Sequence, residues 1–193
     1  MKKIILIGGG GHCKSVIDVI EQEKKYKIHG IVDKPKFLGS KILGYKVIGS
    51  DSDFELLAKK YKNAIITIGQ IKSPLLGIKL FNLASKAGFK FPSIISPRAY
   101  VSKHSSIGTG TIVMHNAVVN ANVSIGDNCI INTKALIEHD CVISNNCHIS
   151  TNAIINGSVK IKSKCFIGSN ATVRDGITIK QNSFIKASSL VKK

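Results

Sequence analysis

From position 101 to position 191, every sixth residue of this chain is isoleucine or valine. The series runs from Val101 and Ile107 through Ile137, Ile143 and Ile149 to Ile185 and Val191 without exception. A helix requires a period of 3.6 and a simple strand a period of 2, so a strict six fits neither. A fixed repeat of this length points to a solenoid whose short units bury their aliphatic residues against one another. Two further columns agree. Two residues before each aliphatic stands a small residue, as in Ala117, Cys129, Ala135, Cys141, Cys147, Ala153, Cys165 and Ala171. Three residues after it stands one that tolerates a left-handed corner, as in Gly110, Asn116, Asn122, Asn128, Asn146, Asn152, Asn170, Gly176 and Asn182. Residues i−2 and i then point inward and the one between them points out. Three hexads make one triangular coil of 18 residues, with about five coils stacked roughly 4.8 Å apart by parallel pairing.

The repeat dictates a fold rather than a chemistry, because stacked β-coils host more than one activity. Composition narrows the choice. The sequence holds 193 residues, enough for one large or two small domains. It shows no apolar run of spanning length and no signal peptide: after Met1-Lys2-Lys3, only Ile4–Ile7 precede four glycines. A cytoplasmic protein with no membrane partner is expected. Four of the five cysteines (Cys129, Cys141, Cys147 and Cys165) occupy the small inward column and read as free thiols used as small hydrophobes. No CxxC pair suggests zinc, and the histidine separations 104–115–139–148 do not give the spacing of a three-histidine site, so no metal is expected. A formal charge of +17 raises nucleic acid as a rival partner. The lysines are scattered, however, few aromatics interleave with them, and no nucleic-acid motif occurs, so no nucleic-acid partner is expected. The same positive field attracts nucleotide diphosphates and coenzyme A.

The first ninety residues alternate strand and helix. A buried strand at Lys2–Ile7 leads through Gly8-Gly9-Gly10-Gly11-His12 into an amphipathic helix near Lys14–Glu23. A second strand, Lys27–Val32, ends at Asp33. A helix is expected over Asp51–Tyr61, capped by Ser50 or Asp51, then a third strand Ala64–Ile68 ending at Gly69, then a helix over Ser73–Ala87. This pattern predicts a small, parallel, Rossmann-like α/β sheet. A glycine run is either a tight turn or a place where backbone N–H groups meet a phosphate. Asp33 and Gly69 at the same strand ends favour the second, and the departure from GxGxxG favours a mononucleotide over a redox dinucleotide. A boundary within Pro92–Pro97 divides a Rossmann-like nucleotide-binding domain, 1–93, from a β-helix domain, 94–193.

Two histidines fall inside the coils. His139-Asp140 lies at a corner, where an adjacent carboxylate raises imidazole basicity; the alternative is a plain exposed corner residue. His148 lies between inward Cys147 and Ile149 and so faces outward from a wall. The two are nine residues, or half a coil, apart. They cannot form a dyad within one chain, so a site using both requires a groove between copies, as in a closed homotrimer.

These residues resemble the NeuD/PglD-type sugar acetyltransferases of the hexapeptide-repeat superfamily. The resemblance rests on Ile5-Leu6-Ile7-Gly8 with Gly11-His12, on Ile68-Gly69, on the Ile94–Ser102 junction, and on Ile130-Ile131-Asn132-Thr133. It continues through Glu138-His139-Asp140-Cys141-Val142-Ile143 and Cys147-His148-Ile149-Ser150. It implies a left-handed parallel β-helix and an acetyl-CoA-dependent N-acetyltransferase. The implied acceptor is a UDP- or GDP-linked 4-amino sugar of bacterial surface glycans, with O-acetylation of a sialic-acid-like sugar or a non-catalytic sugar-nucleotide binder as alternatives. The resemblance also implies His139 as catalytic base and Asp140 as the acid supporting it. Asn132 is implied at the acceptor end, His148, Gly157 and Ser169 along the coenzyme, and Gly10, Gly11, His12, Asp33 and Gly69 around the nucleotide-sugar. Family members usually continue past the last hexad into a Gly-x-Pro-Ala-Lys-like segment. This sequence reads Leu190-Val191-Lys192-Lys193 there, which implies a weaker hold on the adenine end of the coenzyme.

Overall fold

The computed structural model describes residues 1–71 and 73–192. The chain divides into two compact units, Met1–Gly69 with Leu75–Pro92, and Gln70–Pro74 with Ser93–Lys193.

The first unit is a five-stranded sheet in the order β3-β4-β2-β1-β5. Its strands are β1 (Lys2–Ile7), β2 (Tyr26–Val32), β3 (Lys41–Ile42), β4 (Tyr45–Gly49) and β5 (Asn63–Ile66). All neighbours run parallel except β3 and β4. Its helices are α1 (Gly11–Glu23), α2 (Phe54–Tyr61) and α3 (Leu75–Lys86). Ile4, Ile5 and Leu6 are fully buried, as a strand covered on both faces requires. The expected helix from Asp51 begins instead as a 3-10 turn, Asp51–Asp53, where Ser50 and Asp53 form a capping box. Sequence reasoning assigned nothing between residues 34 and 50. There the structure adds the β3–β4 hairpin, with Gly44 at φ +86 in its turn, and β4 extends the sheet beside β2. Val47 is its one fully buried apolar side chain, too little alternation to announce a strand.

The second unit winds dipeptide strands into three parallel sheets. Wall one carries β6 (Ile94–Ile95), β9 (Ile112–Val113), β12 (Ile130–Ile131), β15 (His148–Ile149), β18 (Phe166–Ile167) and β21 (Phe184–Ile185). Wall two carries β7 (Tyr100–Val101), β10 (Val118–Val119), β13 (Leu136–Ile137), β16 (Ile154–Ile155), β19 (Thr172–Val173) and β22 (Leu190–Val191). Wall three carries β8 (Ser106–Ile107), β11 (Ser124–Ile125), β14 (Val142–Ile143), β17 (Lys160–Ile161) and β20 (Thr178–Ile179). Every pairing joins residues 18 apart, as in Ile131 with Ile149 and Val119 with Ile137. The aliphatic and small columns fill the prism as expected: Ile131, Ala135, Ile137, Cys141, Cys147 and Ile149 are 0 % exposed.

The corners explain the third column. Asn116, Asn122, Asn128, Asn146, Asn152, Asn170 and Asn182 all have positive φ, between 52° and 62°, where asparagine is tolerated better than most side chains. Their amides also bond between coils. Asn128 Nδ2 donates to Asn146 Oδ1 at 2.8 Å, and Asn152 Nδ2 donates to Asn170 Oδ1 at 2.7 Å. Asp140 occupies this corner column with φ 61°.

Candidate active site

In such a prism the inward columns are consumed by packing, so chemistry falls to the corners and the outward wall positions. His139 stands at the corner between walls two and three, with its side chain 60 % exposed. Its Nδ1 lies 2.8 Å from Asp140 Oδ2. Against a carboxylate, Nδ1 carries the proton and donates, which leaves the Nε2 lone pair free to accept one. The hydrogen bond to Asp140 raises the His139 pKa above 6.5, and the charges of Asp140, Glu138 and Asp175 add to the rise. Asp140 moves the opposite way: the Asn122 hydrogen bond, then that from His139, lowers its pKa and keeps it anionic.

The neighbouring coil supplies the surface on which the imidazole rests. His139, Gly157 and Asp175 share one corner column at spacings of 18. A Cβ at Gly157 would lie 2.7 Å from His139 Cε1, 2.9 Å from Nε2 and 3.3 Å from Asp175 Oδ1. The imidazole therefore lies over residue 157 only because that residue is glycine. Asn122, Glu138 and Asp175 were missed from the sequence, although the 18-residue column linking 139, 157 and 175 was a signal for Asp175. Cys141, the nearest thiol in sequence, is buried, and burial pushes its pKa up to about 11, so it has no thiolate to offer.

His148 differs from expectation. It does project outward from wall one, yet it is only 4 % exposed. Its Nδ1 lies 3.1 Å from the Gln70 carbonyl, its Nε2 lies 3.1 Å from Asn132 Nδ2, and Phe166 meets the ring edge-on at 5.2 Å. Nδ1–H donates to the carbonyl and Nε2 accepts from the amide. Burial lowers the pKa to about 4. Both ring nitrogens are thus engaged by partners within the chain. Asn132 is correspondingly fixed: its Oδ1 accepts the Thr133 N–H at 2.8 Å. Asn132 and Ser169 lie at the corner between walls one and two, where the Ser169 and Ser150 hydroxyls are 3.0 Å apart. Within one chain, the residues of wall two separate this group from His139, Asp140 and Gly157.

In the first unit, a cavity of about 200 Å³ opens at the carboxyl ends of β1, β2 and β5. Its lining includes Gly8, Asp33, Lys34, Asp51, Ile68 and Leu80. Of the expected nucleotide residues, only Asp33 lines it. Asp33 Oδ2 accepts the Gly9 N–H and Oδ1 accepts the Lys34 N–H, each at 2.6 Å, so this carboxylate braces the glycine loop. Gly10 caps α1 with no side-chain cap, and no atom lies within 4 Å of a Cβ placed on Gly10 or Gly11. The space beside Gly10 and Gly11 at the helix start is thus open. Gly69 faces His12, with a Cβ built at Gly69 3.8 Å from His12 Cβ. Among the described residues no three His, Cys, Asp or Glu side chains converge to hold a metal ion, and no helix is long and apolar enough to cross a membrane.

Residues 3–73 match the PglD N-terminal domain, and residues 104–139 and 140–175 match the bacterial transferase hexapeptide (six repeats). The chain is 31 % identical to a histidine-to-asparagine mutant of perosamine N-acetyltransferase from Caulobacter crescentus, solved in complex with CoA and GDP-perosamine. That match covers 100 % of this chain and 90 % of the other, with a TM-score of 0.93. The chain belongs to the NeuD/PglD-type sugar acetyltransferases. It is an acyltransferase, and its second unit is the left-handed parallel β-helix of the hexapeptide-repeat superfamily. The acetyltransferase domain of PglB from Neisseria gonorrhoeae FA1090 is 30 % identical over 100 % of this chain and 92 % of its own, with a TM-score of 0.92. The same domain solved with acetyl coenzyme A is 29 % identical over 98 % and 92 %, with a TM-score of 0.90. No curated protein matches the chain.

Proposed function

We propose that this chain transfers the acetyl group of acetyl-CoA to the amine of a nucleotide-linked 4-amino sugar destined for a bacterial surface glycan. The observation that carries this reading is the His139 corner. In a chain of formal charge +17, the His139 imidazole, hydrogen-bonded to a carboxylate through Nδ1, is surrounded by Asp140, Glu138 and Asp175. That local negative field draws a cationic amino sugar and repels the carboxylate of a sialic-acid-like acceptor. The bound ammonium gives one proton to solvent, and the resulting neutral amine attacks the thioester carbon, forming the C–N bond. His139 Nε2 takes the N–H proton, the tetrahedral oxyanion collapses, and the coenzyme leaves as thiolate to receive that proton from the imidazolium. The relatives solved with CoA, GDP-perosamine and acetyl coenzyme A support this choice of substrates.

The nucleotide is held at the glycine loop, with its diphosphate on the α1 N-terminus near Gly10, Gly11 and His12 and its remainder toward the cavity by Asp33 and Gly69. The coenzyme runs past Gly157 and Ser169. The active form is a homotrimer. Wall two presents a partly exposed, mainly apolar column, Tyr100, Val118, Leu136, Ile154 and Leu190, interrupted by Thr172, whereas wall three presents Ser106, Ser124, Lys160 and Thr178, with Val142 as its apolar member. Packing copies through wall two places the corner bearing His139 at the rim of each groove, facing the neighbour's Asn132 and Ser169 corner.

Thiol release from acetyl-CoA, measured over a panel of UDP- and GDP-linked amino and hydroxy sugars, tests this. Release dependent on one amino acceptor is expected. Release with hydroxy sugars alone, or acceptor binding without release, would overturn it, and full activity in a sedimenting monomer would overturn the trimeric site.

A further inference from the structure

The corner asparagines of this β-helix serve structure, but one of them is bonded differently. Where Asn128 meets Asn146 and Asn152 meets Asn170, the ladder joins two amides. At the corner between walls two and three, Asn122 Nδ2 donates instead to Asp140 Oδ1, at 2.7 Å. The other carboxylate oxygen, Oδ2, is the one that holds His139 Nδ1 at 2.8 Å. Asn122, Asp140 and His139 thus form a chain of two hydrogen bonds across one coil step.

We infer that Asn122 is a positioning residue for acyl transfer: by anchoring Oδ1 of Asp140 it fixes the carboxylate plane so that Oδ2 holds His139 in the tautomer with a free Nε2. This rests on the reading of His139 as the base. An exposed aspartate otherwise turns about its terminal torsion, since such sp³–sp² torsions are broad wells. The Asn122 amide removes that freedom from one side. Gly157 limits the ring from the other, because the imidazole packs over a position where a Cβ would lie 2.7 Å from Cε1. Two coils therefore define one imidazole orientation. Asn122 itself adopts φ 60°, a corner conformation that recurs through the hexads and that asparagine fills most often, so the proposed support adds no new backbone strain.

The matched control is Asn152, exposed like Asn122, at φ 56° and with an equal 2.7 Å ladder bond to an amide. Asn122→Gly keeps the backbone geometry and removes the amide; Asn122→Asp places a second carboxylate against Asp140. We would measure kcat, KM and the His139 imidazole titration by NMR in both variants, in Asn152→Gly and in the parent. Asn122→Gly should lower kcat about tenfold with KM within about twofold, as loss of an orienting contact does. It should also move the His139 midpoint down, while Asn122→Asp moves it up. Asn152→Gly should lose comparable thermal stability and leave the His139 midpoint unchanged. If Asn122→Gly keeps the parent kcat and, like Asn152→Gly, the parent midpoint, the role falls. If instead His139→Ala retains normal turnover, the reading of His139 as base falls first and takes this role with it, so the two failures are told apart.

Discussion

His139 and His148 sit half a coil apart in nearly the same sequence setting, each one residue from a buried cysteine or an aspartate beside one, and the fold drives them to opposite ends of histidine chemistry. The corner leaves His139 exposed and beside a carboxylate, so its pKa rises. The wall leaves His148 covered, with a carbonyl and an amide as partners, so its pKa falls to about 4. A hexad solenoid offers reactive groups at its corners and structural ones on any wall that becomes covered. One histidine can exchange a proton near neutral pH; the other orders Gln70 and Asn132.

Replacement separates the two most strongly. His139→Ala should lower kcat by about 10²–10⁴, the usual contribution of a positioned base, while coenzyme binding measured by calorimetry is largely kept. His148→Gln should leave the chemical step far less affected and lower the melting temperature instead, because burial without both partners leaves the Gln70 carbonyl or the Asn132 amide unpaired. Near-normal turnover in the first variant, or a collapse of kcat without loss of stability in the second, would break the contrast.

The second test is the pH dependence of stability, where the signs oppose. His148 has a folded pKa of about 4 against 6.5 unfolded, so its contribution is complete above 6.5 and is lost as pH falls toward 4. The shift corresponds to at most about 3 kcal/mol. Thermal melts should therefore drop steeply between pH 6.5 and 4, and His148→Gln should flatten that limb. His139, with a raised pKa, contributes instead below 6.5 and loses its contribution as pH rises through its folded value. An acid limb that is unchanged in His148→Gln would assign it to other groups.

Much of this was legible before any coordinates. The six-residue period dictated the prism, its inward columns and its left-handed corners, because a repeat leaves only one register that buries Ile131 under Ile149. The basic chemistry of His139-Asp140 was legible from adjacency. What covers an outward wall position was not: the burial of His148 depends on Gln70, 78 residues away, and no local pattern encodes that. The β3–β4 hairpin escaped for a related reason, since its strands pair through two-residue contacts at a sheet edge. The reach of Asn122 to Asp140 was readable only by folding the corner column at 18, which turns a recurring structural amide into a partner of the acid.

The finest test concerns that acid. Activity requires His139 deprotonated, so kcat/KM should rise with pH through an inflection above 6.5, the side to which the Asp140 hydrogen bond moves it. Asp140→Asn suits the corner, where asparagine is the recurrent residue, so the fold should survive the change. Removing the carboxylate takes away the first cause of the raised pKa, and the inflection should slide toward 6.5. The plateau should fall as well, because an amide oxygen orients Nδ1–H more weakly than an anion does. At pH values below the parent inflection the variant keeps a larger fraction of its imidazole unprotonated, so its deficit should narrow as pH falls. A deficit that stays constant across that range would mean that Asp140 orients the ring without setting its basicity.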